Sequence, residues 1–429
     1  MTICGLDFGT SNSTVGVIKD NQAQMTPLEK HPSKNQIETT LPSALFFDFE
    51  TDEISFGRQA IENYTHGDFG RLMRSMKSIL GSNQMDEGTQ IKNKVYSFND
   101  IIGFFMQSLK DRAQTFTGEN LSSVVLGRPV HFSDYHPELD AAAETRLGDI
   151  AKSVGFQDVS FQYEPIAAAY DYEQQVSDEE LALIIDIGGG TSDFTIIRLS
   201  KQSRDKSDRQ EDILANHGIH IGGTDFDRHL SMATVMPYFG LGVAYKDKPT
   251  LSMPKHYFVD LATWHQIHRL YEPKVIRDIA DLKLLLQEAA PLERLLTLLT
   301  QKDGHRLAGL VEQAKIELSE CADVSIDLSF LNRERELAES IIHRANQHEL
   351  NSAIEQDVQR VFSAVNETLA QSGIAKGDIQ TIFTTGGSTA LPSVKALVQA
   401  SFPAAKWVSG DLFNSVGKGL VLEAARRYR

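Results

Sequence analysis

"TICGLDFGTSNSTVGVI", residues 2–18, runs an apolar strand into Asp7, then Gly9 and a series of hydroxyl and amide side chains, then a β-branched strand. A carboxylate at the end of a buried strand is costly unless something there needs negative charge. "LALIIDIGGGTSDFTII", residues 181–197, repeats the pattern with Asp186, three glycines and Thr191. Each stretch reads as a β-hairpin whose turn carries glycine and threonine. The two aspartates stand 179 residues apart, nearly half the chain. The segments downstream of the two hairpins correspond as well. "SSVVLGRPV" (122–130) is a strand and glycine loop before a helical pattern over 138–153, and "IQTIFTTGGSTALPSVKALV" (379–398) is strand, glycine loop and helix. The economical reading is an internal duplication into two similar α/β lobes.

Neither turn is a Walker loop, because the lysine of that motif is missing. Neither is a Rossmann fingerprint, because the chain turns into a second strand rather than a helix. Tight hairpin turns of this kind aim backbone N–H groups at an anion, and threonine hydroxyls add donors. Glycine is needed where a Cβ would block the approach of a phosphate. Two such turns facing each other across a cleft would grip a polyphosphate from both sides, with Asp7 and Asp186 on opposite walls. Mg²⁺ keeps most of its waters and is often held by one or two carboxylates plus phosphates, which fits this pair. Asp193, seven residues after Asp186, begins the next strand and is within reach of the metal or an attacking water. A lone aspartate is more often a turn cap; the matched pair is what argues for a phosphate clamp.

Composition is that of a globular protein; it argues against nucleic acid as a partner and does not exclude a nucleotide, whose phosphates backbone amides and a metal ion can hold. The chain has 429 residues, 41% apolar and 23% charged, with a net charge of −16. Such an acidic balance opposes a phosphate backbone as partner. The two cysteines, Cys4 and Cys321, form no CxxC pair and imply neither a disulfide framework nor a zinc cluster. The N-terminus reads directly into a strand without a leader, and no apolar run reaches membrane-spanning length, so the expectation is a soluble cytoplasmic protein.

Three stretches read as loops or insertions. Residues 81–94 are polar without apolar period, 200–212 are charged throughout and read as a mobile hairpin tip, and 237–256 mix Pro, Gly and Lys. Beyond them lies a leucine-rich helical pair, broken near Pro291, whose leucines read as packing. Ile354, Val358, Val361, Val365 and Leu369 keep helical spacing and predict an amphipathic helix over 352–371. His265 with His268, and His217 with His220, lack the further ligands of a metal set. Ser192 lacks the elbow motif of a nucleophile.

"GLDFGTSNSTVGV", "FQYEPIAAAYDY", "IIDIGGGTSDFTII", "HIGGTDFDRHL", "LVEQAKIELS" and "IFTTGGSTALPSVKALV" occur in the order seen in the nucleotide-binding domain of DnaK-like heat-shock chaperones. The chain resembles that family, within the actin and sugar-kinase superfamily, and is similar to its YegD type. The resemblance implies a two-lobed actin-like ATPase fold of duplicated ribonuclease H-like domains, each a mixed sheet with flanking helices. It implies lobe I over 1–178, lobe II over 179–408 with an enlarged insert at about 237–311, and a segment 409–429 returning to lobe I. No peptide-binding domain is expected. The implied ligands are ATP or ADP with Mg²⁺. Gly9, Thr10, Ser11 and Asn12 would form the first phosphate loop, and Gly188, Gly189, Gly190 and Thr191 the second. Asp7, Asp186 and Asp193 would hold the metal, mostly through water. Lys77 would sit near the γ-phosphate, and Glu164, Asp193 and Thr191 would orient metal and water. Gly222, Gly223 and Thr224 would lie under phosphates and ribose. Glu312, Lys315 and Ser319, spaced along one helical face, would contact adenosine, with Gly386, Gly387 and Ser388 below it.

Departures from the family pattern are Ala390, where the family carries an arginine on adenine, and Phe413, near a family acid. The implied function is a slow, chaperone-type ATPase whose lobes close around Mg-ATP and which engages protein clients or co-chaperones. The alternatives are a small-molecule kinase of the same superfamily and a nucleotide-switched scaffold without turnover.

Overall fold

β-Branched residues run through both repeated stretches and favour a pleated strand. The computed structural model describes residues 2–30, 36–82, 85, 87–134, 136–204, 206, 208–332 and 341–428, and builds these stretches into two principal sheets. The first contains β1 (Thr2–Asp7), β2 (Asn12–Lys19), β3 (Gln22–Met25), β4 (Leu121–Arg128) and β5 (Asp158–Tyr163), in the order β3-β2-β1-β4-β5. The short strand Leu41–Pro42 pairs beside β2. The second contains β6 (Glu180–Ile187), β7 (Ser192–Leu199), β8 (Ile213–Ile219), β9 (Thr381–Thr385) and β10 (Lys406–Ser409), in the order β8-β7-β6-β9-β10.

The two orders are the same, and so is the sense of every pair. β1 is antiparallel to β2 and parallel to β4, as β6 is antiparallel to β7 and parallel to β9. The outer pairs match too: β2–β3 and β7–β8 are antiparallel, β4–β5 and β9–β10 parallel. The duplication legible in the hairpins therefore extends through both sheets, as in the actin-like ATPase fold.

Strand alternation divides the first sheet between two cores. Cys4, Leu6, Val124 and Leu126 pack with the helices Phe98–Thr117 and Pro137–Ser153. Ile3 and Val125 belong to a second core that also takes Ala182, Ile184, Ile197, Leu199 and Phe383 from the second sheet. Two helices contribute to that core, Glu164–Glu173 and Ser415–Tyr428. Their small residues set how near they come: a Cβ on Gly419 would lie 1.7 Å from the Ala167 carbonyl oxygen. Ala167, Ala168 and Ala169 of "EPIAAAYDY" are fully buried in this core.

The chain forms two compact units. One comprises residues up to Gly223, Arg360–Thr389 and residues from Val394, and contains both principal sheets. The other comprises Thr224–Gln359 and Ala390–Ser393. In this second unit Leu292, Leu295, Leu298 and Leu299 are buried on the helix Ala290–Thr300, as expected for packing residues. Leu284 and Leu285, in the break between that helix and Pro273–Leu282, are exposed. The predicted amphipathic helix is observed as Gln347–Ser372, and its five periodic apolar residues are buried. Among the described residues no helix is long and apolar enough to cross a membrane.

Two loop expectations are corrected. Within 81–94, Gly88–Ile91 pairs with Lys94–Ser97 as a hairpin in which Thr89 and Ile91 are buried. Within 200–212, Arg209 is buried and binds Glu173 bidentately while its Nε donates to Asp212 at 2.6 Å. The charges there include a neutralised interior network, which a composition count cannot distinguish from a solvated tip. Residues 205 and 207 of that stretch lie outside the described residues.

Candidate functional site

β1 ends at Asp7 and β6 one residue past Asp186, and each leads into a four-residue turn, residues 8–11 in the first hairpin and Gly188–Thr191 in the second. Asp7 lies opposite Thr14 and Asp186 opposite Asp193. Thr14 and Asp193 are therefore equivalent positions, and the second repeat alone carries an acid there. Beside Asp186 on β9 stands Thr385.

The turns touch. A Cβ on Gly189 would lie 2.3 Å from Ser11 Oγ, and one on Gly190 would lie 2.8 Å from Thr10 Oγ1. The separation expected between two cleft walls is thus replaced, at the turn tips, by direct contact that only glycine permits. Gly222 lies against the backbone of Gly189 and Gly190, where its Cβ would come within 2.6 Å, and the Gly223 N–H donates to the Gly188 carbonyl at 2.9 Å. Gly386, at a φ of +80°, presses on Ile187 and on Asp186 Oδ1. Ser388 Oγ donates to the Gly188 carbonyl at 3.4 Å, and Gly387 lies beside the half-exposed ring of Phe413. Ser192 Oγ is buried and donates to the Ile221 carbonyl at 2.7 Å, consistent with a structural hydroxyl.

Lys77 and Glu164 come from distant parts of the sequence and form a buried ion pair. Lys77 lies in the short helical turn Met76–Ile79, and Glu164 opens the helix Glu164–Glu173 directly after β5. Gly127 on β4 leaves space for both this acid and Asp7: its Cβ would meet Glu164 Cγ at 3.3 Å and Asp7 Oδ1 at 3.4 Å. Asp193 accepts a hydrogen bond from the Val130 N–H at 2.7 Å.

Burial and mutual repulsion raise the acids. Asp7 is pushed up to about 7, first by burial and then by Glu164, with Lys77 opposing. Asp193 is pushed up to about 7 by burial and Glu164, against the Val130 amide, the Thr191 hydroxyl and Lys77. Asp186 is raised well above its ordinary value, by burial and then Glu164, Asp193 and Asp7, with Lys77 opposing. Lys77 is held above its ordinary value: burial pulls it down, and Glu164, Asp7 and Asp193 outweigh that. Four carboxylates thus share one ammonium. Asp7 Oδ1 is buried without a hydrogen-bond partner among the described residues. A surplus of negative charge around an orphaned carboxylate oxygen fits a divalent cation. No group of three or more His, Cys, Asp or Glu side chains is placed to ligate a metal directly among the described residues.

Sequence reading missed Gly127, the Val130 amide and Ser43. The Ser43 N–H donates to the Ser11 carbonyl at 2.9 Å, and its hydroxyl donates to the Gly9 carbonyl at 2.6 Å, bracketing the first turn. None has a local signature, although "GRPV" repeats the strand-end position of "TTGGS".

Thr224, Glu312, Lys315 and Ser319 belong to the second unit. Lys315 is buried and paired with Asp227 at 2.8 Å, a partner not foreseen. Glu312 is half-buried on the same helix, Gly304–Glu317. Ser319 falls just past the end of that helix, with its N–H bonded to the Ile316 carbonyl.

A model of the Hsp70 protein family matches residues 3–238 and 294–417. The chain belongs to the Hsp70 family. Hsp70 proteins are ATP-binding, chaperone-type proteins, and their nucleotide is ATP or ADP with magnesium. The matched ranges of this Hsp70 chain contain both turns, Lys77, Glu164, Asp193, Gly222–Thr224, Glu312, Lys315, Ser319 and Gly386–Ser388. The unmatched stretch 239–293 includes the helices His256–Leu261 and Pro273–Leu282 of the second unit.

Proposed function

We propose that the chain binds Mg-ATP at the paired turns and hydrolyses it slowly to ADP and phosphate, closing its lobes on the nucleotide as a switch for protein clients or co-chaperones. The observation that carries this reading is the meeting of two equivalent turns, from sheets of identical order, beside Asp7, Asp186, Asp193, Glu164 and Lys77. Phosphoryl transfer needs positioning and charge neutralisation more than covalent chemistry. The turn residues Gly9–Asn12 and Gly188–Thr191 would cradle the phosphates through backbone N–H groups and hydroxyls. Asp7, Asp186 and Asp193 would hold hydrated Mg²⁺, which when bound neutralises charge on the phosphate oxygens. Lys77, kept protonated by the acids around it, supplies a fixed positive charge for the γ-phosphate. Glu164 and Asp193 would orient the attacking water or accept its proton.

Thr224, Glu312, Lys315 and Ser319, with Gly386, Gly387 and Ser388, are assigned to the nucleoside, a reading supported by the family match across them. The YegD-type placement belongs to this reading and rests on the resemblance of the sequence motifs alone. Cytoplasmic action belongs to the same reading.

Turnover of ATP by the wild type, Lys77→Ala and Asp193→Ala proteins tests the site. Both variants should lose at least about tenfold, the scale of a lost charge aimed at the transition state. Unchanged turnover in both would remove the catalytic assignment. Phosphorylation of a metabolite much faster than ATP hydrolysis would point to the kinase alternative.

A further inference from the structure

A pocket of about 310 Å³ opens at the far end of the helix Glu164–Glu173, and its wall carries Lys201, Arg204, Arg209 and Arg426 against two acids, Glu173 and Glu423. Both acids are already neutralised. Arg209 binds Glu173 through two 2.8 Å hydrogen bonds, and Glu423 pairs with Arg426 and Arg427. Arg209 spends its Nε on Asp212, which also holds Lys206.

Arg204 is different. Its Nε and Nη2 donate to the backbone carbonyls of Glu173 and Val176, and no carboxylate pairs with it among the described residues. Lys201 is exposed and likewise has no carboxylate partner among the described residues. Arg209 and Arg426 both lie over the ring of Tyr170, at 5.1 and 5.2 Å from its centroid, so their guanidinium planes are held in place. Like charges crowded on one wall repel unless an anion offsets them. In a chain of net charge −16 such a cluster is not a reflection of bulk composition.

We propose that this pocket is a second ligand site and that it takes a phosphate group, free or carried by a small molecule. The surplus on its wall is two positive charges, which matches the charge a phosphomonoester concentrates on one small group at neutral pH. Guanidinium and ammonium donors are the groups suited to phosphate oxygens. The volume is at the lower end for small-molecule sites, enough for a phosphate and a short carbon skeleton. The site is separate from the turns: Glu164 and Glu173 are the two ends of a ten-residue helix, roughly 15 Å long.

Titration calorimetry at constant ionic strength tests this with inorganic phosphate, glycerol phosphate and succinate, each with and without saturating Mg-ADP. Phosphate or glycerol phosphate should bind saturably in the presence of Mg-ADP, and Kd should rise at least tenfold in both Lys201→Glu and Arg204→Gln. Lys201 is exposed, so its variant keeps the fold, and neither residue belongs to the nucleotide machinery. The proposal fails if no phosphate compound binds saturably, if Lys201→Glu binds as tightly as wild type, if Mg-ADP abolishes the binding, or if succinate binds as tightly as the phosphates. Failure here leaves the ATP reading untouched, because ATP turnover is measured separately.

Discussion

At Asp193 the cost of concentrating acids is read from its proton. The residue is 1% exposed, and its carboxyl sits near 7, against 3.8 for an ordinary aspartate. An acid raised in the folded state binds its proton more tightly there than in the unfolded chain. Stability is therefore greatest below the unfolded value, falls as pH rises toward 7, and levels off above it. A shift of this size corresponds to about 4 kcal/mol for an isolated group, reduced here because neighbouring acids titrate together. In nucleotide-free protein with chelator present, urea unfolding should show lower stability at pH 8 than at pH 5, and Asp193→Asn should flatten that slope. A slope identical in the variant would mean that Asp193 does not carry the effect. Magnesium added with nucleotide should narrow the difference, since a bound cation stabilises the charged forms.

The contacts between elements depend on residues too small to be noticed in isolation. Gly419 places the helix Ser415–Tyr428 against the Ala167 backbone, where any Cβ would overlap the carbonyl oxygen. Gly419→Ala should cost about 1–3 kcal/mol or more through overpacking, seen as a lower denaturation midpoint with an unchanged m-value. A midpoint within experimental scatter of wild type would show that the helix can shift freely. The stretch 200–212 makes the opposite point. Arg209→Met leaves Glu173 and Asp212 as buried acids without their strongest partner, so a loss of about 3–5 kcal/mol is expected. A purely solvated tip would tolerate the same change within about 0.5 kcal/mol.

For the whole molecule, the division into two compact units predicts departure from two-state unfolding. Ile184 is buried in the core shared by both principal sheets, and Leu295 is buried in the second unit. In calorimetry, Ile184→Ala should lower one transition and Leu295→Ala the other, each by about 2–5 kcal/mol at its own site. A single transition shifted equally by both substitutions would show that the units unfold together.

Local pattern by itself determined the two hairpins, their aspartates and glycines, the helix over 352–371 (Gln347–Ser372 in the structure) and the duplication, because strand alternation, helical period and turn chemistry are all properties of neighbouring residues. The spacing of Asp193 after Asp186 was equally visible, since seven residues of strand, turn and strand bring the two opposite each other. Only the tertiary structure decided that Lys77 pairs with Glu164, that Gly127 makes room for Glu164 beside Asp7, that Ser43 holds the first turn, and that Arg209 lies inside a neutralised network. Each of these joins residues remote in sequence or buries a charge that composition assigns to solvent. Their energies come from burial and three-dimensional proximity, which no window along the chain contains.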